Sequence, residues 1–230
     1  VRTVGIGGGS MVEIRDGKAV DTGPRSAHIA NLAYECYTDP ADIVDPVLKS
    51  IRPKEGDPEY AYVECAGGKK FSLTLSGAAN IAGFVPGDSY AHGNVEAARR
   101  AWKPLADNMG LTVEECARKV LEFSAAKNSK VVESLIKDYG LDKSTLTFVG
   151  GGGGAASVVP HLAEYMGCKH KIAKNAPVIS PIGVALAMVR DMVERTVSNP
   201  TEEDILAIRR EAVRKAVQSG ADPNTIEVKI

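Results

Sequence analysis

No C-x-x-C pair brings any two of the four cysteines, Cys36, Cys65, Cys116 and Cys168, to metal-ligand spacing. That argues against a zinc ribbon or finger, and the four read as reduced, small core residues. His28, His92, His161 and His170 are equally scattered, so no metal site is expected. No apolar run nears the ~18–20 residues a membrane span needs, and no membrane partner is expected. The formal net charge of −1 gives no global field that would draw the chain to nucleic acid. Aromatics are scarce, at 5% with one tryptophan, and Trp102, Tyr60, Tyr62 and Phe71 read as core rather than as stacking platforms. What remains is 44% hydrophobic and 25% charged over 230 residues, ordinary globular composition with enough length for a real core. Nothing resembles a signal peptide, and the expected location is cytoplasmic.

Along the chain, "RTVGIGGGSMVEIRDGKAVDTGP" reads as a strand, a glycine turn and a second strand, with Asp16-Gly17 turning into a third. In the irregular stretch from Pro24 to Pro58 the helical candidate is "DPADIVDPVLKSI". "YAYVEC" and "KFSLTLS", joined by Gly67-Gly68, predict a second hairpin, and a short apolar helix and a turn-rich loop follow. Helices dominate from Asn94. One is capped by Asn94 and ends at Gly110, with Pro104 expected to kink or interrupt it. The next opens on a Thr112/Glu115 capping box. "STLTFVG" predicts a buried strand, "AASVVPHLAEYMG" a helix and "HKIAK" a short strand. "SPIGVALAMVRDMVERTV" predicts a long helix, "PTEEDILAIRREAVRKAVQSG" an amphipathic one, and "TIEVKI" a last strand. The basic cluster Arg209, Arg210, Arg214 and Lys215 alternates with glutamates as a solvated face would. Hairpins followed by helices alternating with single strands predict an α/β fold with a mixed central sheet and flanking helices. The expected organisation is one α/β domain over 1–230, subdivided if at all into a hairpin-rich 1–93 and a helix-rich 94–230. Both ends read as strand, as in a piece of a longer polypeptide.

Two glycine-rich stretches could carry chemistry. In "TFVGGGGGAAS", Gly150, Gly151, Gly152, Gly153 and Gly154 lie between a strand and a helix. There, backbone N–H groups can approach an anion or a flat ring. The Lys-Ser/Thr ending of a Walker A loop is missing, and a βαβ dinucleotide fingerprint is not expected either. In "TVGIGGGS", Gly7, Gly8, Gly9 and Ser10 could wrap a phosphate through main-chain donors. The plainer readings are close helix–strand packing and a wide β-turn. Two such loops together favour a nucleotide, which needs separate grips on phosphate and nucleoside.

"TVGIGGGSMVEIRDGKAVDTGPRSA" resembles the T-V-G-x-G-G-G-S and G-P-R-S-A segments of the hydantoinase/5-oxoprolinase A-subunit family. "TFVGGGGGAASVVPHLAEYMG" and "SPIGVALAMVRD" are similar to later segments of that family, in the same order. The resemblance implies an actin-like ATPase lobe of the sugar kinase and Hsp70 superfamily, with a ribonuclease H-like sheet. It implies ATP with Mg²⁺ as cofactor, a small cyclic amide as substrate, and a second, B-type subunit or domain as partner. Gly150 to Gly154 match the adenosine-side loop, Gly7 to Gly9 and Ser10 would line the cleft near the phosphates, and Arg25 of "GPRS" would meet an anion. Asp45 is a weaker match to an aspartate of the family's T-D-A segment.

Departures from the family pattern narrow the expected role. The family's Asp-x-Gly-Gly-Thr-Ser/Thr phosphate loop, whose acid helps place the metal, is missing. "HIANLAYECYTDP" replaces a proline- and glycine-rich segment, keeping Cys36-Tyr37. Cys36 reads as a core thiol, since no nearby histidine offers it a base. The expected function is the adenosine-side half of the nucleotide cleft of an ATP-dependent cyclic amide hydrolase, inactive as an isolated piece, with the catalytic residues outside it. The alternatives are a non-hydrolysing nucleotide sensor or reactivating chaperone module, and a structural lobe whose glycines serve packing.

Overall fold

Asp16 and Gly17 take φ values of 51° and 71°, the left-handed pair that a two-residue hairpin turn requires. They fold β1 (Ser10–Arg15) back onto β2 (Lys18–Ser26), with Arg15 opposite Lys18. The computed structural model describes residues 1–230, which form two units, Val1–Ile179 and Ser180–Ile230.

In the first unit, β3 (Ala33–Tyr34), β4 (Val47–Ile51), β5 (Tyr60–Glu64) and β6 (Lys70–Ser72) complete a mixed sheet. Its order is β2-β1-β5-β6-β3, with β4 also paired to β5 and only β3–β6 parallel. Strand alternation builds two cores. From β1 and β5, Val12, Ile14, Ala61 and Val63 enter the main core, while Met11 and Tyr60 join Ala27 and Leu32 in a smaller cluster.

Over the main core lie α1 (Leu75–Ile81), α2 (Val95–Met109) and α3 (Val113–Tyr139). The buried face of α2 is Ala97, Ala98, Ala101, Trp102 and Leu105, and that of α3 begins Cys116, Ala117, Val120, Leu121. Alanines at these positions bring helix backbones close to the sheet. The Asn94 side chain caps α2, and Thr112 and Glu115 form the expected capping box on α3. Pro104 lies inside α2 without ending it, because the buried Trp102 and Leu105 on either side hold that turn against the core.

Further on, β7 (Thr147–Gly150) leads through the glycines and a 3-10 turn, Ala155–Ser157, into α4 (Val159–Met166) and back along β8 (Lys169–Ile172). Strands β7 and β8 pair in parallel, so the glycine loop does sit in a βαβ unit, contrary to expectation. The absent fingerprint had hidden a topology that only strand pairing reveals. Nor is β7 buried: Val149 is 62% exposed, since the parallel pair has no further strand beside it.

Four other expectations fail for local reasons. "DPADIVDPVLKSI" forms a 3-10 turn, Pro40–Asp42, and then strand β4, because Asp45 adopts φ 46° ahead of Pro46 and stops helical propagation. Residues 1 to 9 form no strand; their glycines bend to meet Pro24 and Ser76 instead. Helix α5 (Ile179–Ala185) stops well short of the predicted length. Its continuation, where Leu186, Met188 and Met192 are exposed, buries no apolar face to stabilise a helix. "TIEVKI" pairs with nothing.

Within the second unit, α6 (Glu202–Gln218) starts on a Thr201/Asp204 capping box. Arg195 pairs with Glu211, and the Ser219 hydroxyl donates to Asp191 at 2.7 Å. No helix is long and apolar enough to cross a membrane.

Candidate functional site

The two glycine loops meet. A Cβ added to Gly154 would stand 3.3 Å from the Gly8 nitrogen and 3.5 Å from its Cα, so the two backbones touch without side chains between them. Beside this contact the Ser76 N–H donates to the Gly8 carbonyl at 2.8 Å, and the hydroxyls of Ser76 and Ser157 share a buried hydrogen bond of 3.0 Å. The first turn of α1 and the 3-10 turn before α4 are thus clamped together under the loops.

Each loop has a packed side and an open side. In the first, Gly9 lies so close under the Tyr34 hydroxyl that a Cβ would overlap it, and Gly8 would meet Ser76 Oγ at 2.5 Å. Gly7, by contrast, has nothing within 4 Å of its Cβ direction. Ser10 is buried; its hydroxyl accepts from the Gly7 N–H at 3.0 Å and so stiffens the turn from inside rather than standing at its tip. In the second loop, Gly150 packs on Ile172, Ala155 and Val159, and Gly151 on Ile179. Gly152 takes φ 99°, donates its N–H to the Ala176 carbonyl at 2.8 Å and faces open space. Gly153 lies against the ring of Tyr90. The N–H groups of Gly8, Gly9, Gly153 and Gly154 have no acceptor within the protein. Close packing therefore explains glycine at 8, 9, 150 and 154, and leaves Gly7 and Gly152 facing outward.

Arg25 is not a free cation. Its guanidinium makes a side-on pair with Asp57, with Nε to both carboxylate oxygens at 2.9 Å and a terminal nitrogen to one at 2.8 Å. Hydrogen bonding raises the Arg25 pKa and lowers that of Asp57, which also accepts from the Lys54 N–H. The neighbouring Gly23 takes φ 64°, and its carbonyl accepts from the buried Tyr60 hydroxyl at 3.2 Å. The "GPRS" end of β2 thereby seats itself under the first loop, with Pro24 against Gly5.

The sequence reading missed Glu35. Its side chain is fully buried and accepts from Trp102 Nε1 at 2.7 Å, the Thr74 N–H at 3.0 Å and the Thr74 hydroxyl at 3.0 Å. Burial pushes its pKa up to about 7 against the pull of these three donors. The carboxylate rests on Gly77, where a Cβ would overlap Oε1, and Thr74 also caps α1 by accepting from the Gly77 N–H. Glu35 thus fixes the start of the helix that carries Ser76. An acidic residue inside "NLAYECYTDP" gives no local sign of this, since its partners lie 39 and 67 positions away.

Cys36, Cys65 and Cys116 are buried, and burial raises the pKa of each, which leaves inert thiols; Cys168 is half-buried. No cluster of three or more histidine, cysteine, aspartate or glutamate side chains is placed to hold a metal ion. A groove of about 480 Å³ between α3 and α4 is lined by Arg118, Glu122, His161 and Tyr165, among others, and by no residue of either glycine loop.

The first unit is thus a mixed α/β fold in which two glycine loops abut, and sequence comparison names the family. The Hydantoinase/oxoprolinase family model matches residues 1–193, and the chain belongs to that family. No curated protein matches the sequence. Among solved structures, a nucleotide-free acetone carboxylase, described in a study of ATP-dependent acetone carboxylation, is 18% identical with a TM-score of 0.61. The match covers 96% of this chain and 30% of that one, so this chain spans less than a third of the relative's length. At that identity the likeness speaks for the fold.

Proposed function

We propose that this chain forms the adenosine-side half of the nucleotide cleft in an ATP-dependent enzyme subunit of the hydantoinase/oxoprolinase type. In this reading it is the later, ribonuclease H-like lobe of an actin-like ATPase. The observation that carries the reading is the backbone contact between Gly8 and Gly154, which joins two glycine loops with open sides in a chain of this family. The ATP dependence of the acetone carboxylase neighbour supports the choice of ligand.

The residues fit a nucleotide better than they fit its metal. Gly7 and Gly152 leave room for close approach, and the N–H groups of Gly8, Gly9, Gly153 and Gly154 suit phosphate or ribose oxygens. Preorganised donors of this kind stabilise charge on a transferring phosphoryl group. Neither loop contains an acid, so Mg²⁺ would arrive on the phosphates with its protein ligands supplied from elsewhere. Ser10, Ser76 and Ser157 hold the loops in shape, and the Arg25–Asp57 pair braces the end of β2 beneath the first. A small cyclic amide substrate and a B-type partner belong to the whole enzyme and rest on the family alone.

The test is calorimetric titration of the chain with ATP and ADP in the presence of Mg²⁺, beside Gly7→Ala. That methyl enters open space at an ordinary φ, so stability should hold while nucleotide affinity falls. Absence of any nucleotide binding to the wild-type chain would overturn the reading. So would steady ATP turnover by the chain alone, because the reactive half of the cleft would then lie within it.

A further inference from the structure

Tyr90 is the most exposed tyrosine of the chain, at 76%, yet the residues on either side of it are held by hydrogen bonds. It belongs to the loop between α1 and α2, where the next residue, Ala91, is buried. The Ala91 carbonyl accepts from Asn80 Nδ2 and from the Tyr37 hydroxyl, both at 3.1 Å. The side-chain Oδ1 of Asn80 accepts from the Gly93 N–H at 2.9 Å, and the Ser89 hydroxyl accepts from the Ala91 N–H at 3.2 Å. Asn80 is itself buried and also bonds back to the Ser76 carbonyl at 2.9 Å, so this loop is tied to the helix whose first turn clamps the glycine loops.

The ring that this frame presents stands beside the second glycine loop. A Cβ at Gly153 would lie 3.1 Å and 3.3 Å from two of its edge carbons, whereas Gly152 next to it faces open space. An aromatic side chain held in water by a rigid backbone buries little and stabilises the fold little. With its edge against Gly153 and most of its surface in water, the ring stands as a wall beside the open backbone of Gly152, and such a free aromatic face is one on which flat rings stack. Tyr165 and Tyr139 are also exposed, but they lie on α4 and α3, and neither is among the nearest neighbours of these glycines.

We infer that Tyr90 and the backbone of Gly152–Gly153 form a stacking slot for a heteroaromatic base, which makes Tyr90 a determinant of the base-linked part of nucleotide affinity. This rests on the nucleotide reading of the same loops and adds to it a residue, a contact and a direction of selectivity. A ligand with a base gains from the slot, and a bare polyphosphate does not.

The experiment is isothermal titration of the full chain, wild type and Tyr90→Ala, with ADP and separately with pyrophosphate, both with Mg²⁺. Stacking on an aromatic side chain typically alters binding about 5- to 150-fold on truncation to alanine. The expected result is a loss of that size for ADP, unchanged pyrophosphate binding, retention of ADP affinity by Tyr90→Phe and Tyr90→Trp, and an unmoved melting temperature. Equal ADP affinity in wild type and Tyr90→Ala would overturn the role of Tyr90 and leave the nucleotide reading standing. Parallel loss of ADP and pyrophosphate would also overturn it, because the ring would then act on the loop and not on a base. Failure of the wild-type chain to bind either ligand would overturn the nucleotide reading itself, and this inference with it.

Discussion

Ser76 and Ser157 share a hydrogen bond of 3.0 Å in the interior, although 81 positions separate them. One opens α1 and the other closes the 3-10 turn ahead of α4, so the bond ties the hairpin-rich sheet to the βαβ unit at the point where Gly8 meets Gly154. Both side chains are buried, Ser76 at 2% and Ser157 at 1% exposure.

Truncating either serine should leave the other hydroxyl buried without its partner. Ser76→Ala and Ser157→Ala are each expected to cost about 1–2 kcal/mol, and a double-mutant cycle by urea denaturation should give a coupling of about 1 kcal/mol. Gly8→Ala attacks the same bond from the backbone side, since its methyl would stand 2.5 Å from Ser76 Oγ. It should destabilise more than Gly154→Ala, whose methyl comes no closer than 3.3 Å to the Gly8 backbone. A coupling near zero would mean that the two serines are not joined in solution.

The buried Glu35 makes stability depend on pH with an unusual sign. Its folded pKa, about 7, lies above the ordinary 4.5, so the folded chain keeps a proton that the unfolded chain has already released. The contribution is full below pH 4.5 and is lost as pH rises through about 7, on the order of 3 kcal/mol in all. Asp57 works in the opposite direction. Arg25 depresses its pKa, so its contribution is present above the unfolded pKa and is lost as pH falls toward the depressed one. Melting temperatures from pH 3 to 8 should therefore peak in mild acid. Glu35→Gln should flatten the decline between pH 5 and 7 and leave the acid limb in place. A decline that survives Glu35→Gln unchanged would assign it to another group.

Glycine at position 77 answers to the carboxylate lying on it. In Gly77→Ala the methyl would overlap Glu35 Oε1 and come within 3.0 Å of Trp102 Nε1. Alanine's better helix propensity, worth about 1 kcal/mol, should lose to overpacking of about 1–3 kcal/mol or more. Guanidinium denaturation of Gly77→Ala beside Gly7→Ala should show a large fall in the first and a change within about 0.5 kcal/mol in the second.

Much of the framework was legible locally because its signals are local. Asp16-Gly17, Asn94, and the Thr112/Glu115 pair announce a turn and two helix starts within four residues each, and the structure has all three. The glycine runs marked both loops, but their contact with each other needs the whole of the first unit to form. Glu35 was illegible for the same reason, since nothing beside it in sequence provides Trp102 or Thr74. The residues after Ala185 misled through period alone. Apolar residues at helical spacing make a helix only where a surface receives them, and Met188, 92% exposed, has none.

The serine pair also bears on the order in which the molecule assembles. Contacts between distant parts of a chain form late, after local turns and helices have reduced the entropy of closing the loop. The β1–β2 hairpin and the β7–α4–β8 unit can each take shape from nearby residues, whereas the Gly8–Gly154 junction must wait for both. A chain arrested between these stages would hold two glycine loops of native sequence and no junction between them. Amide hydrogen exchange at Ser76, whose N–H is held by the Gly8 carbonyl, would time the moment at which the first loop docks on α1, the step that readies it to meet the second.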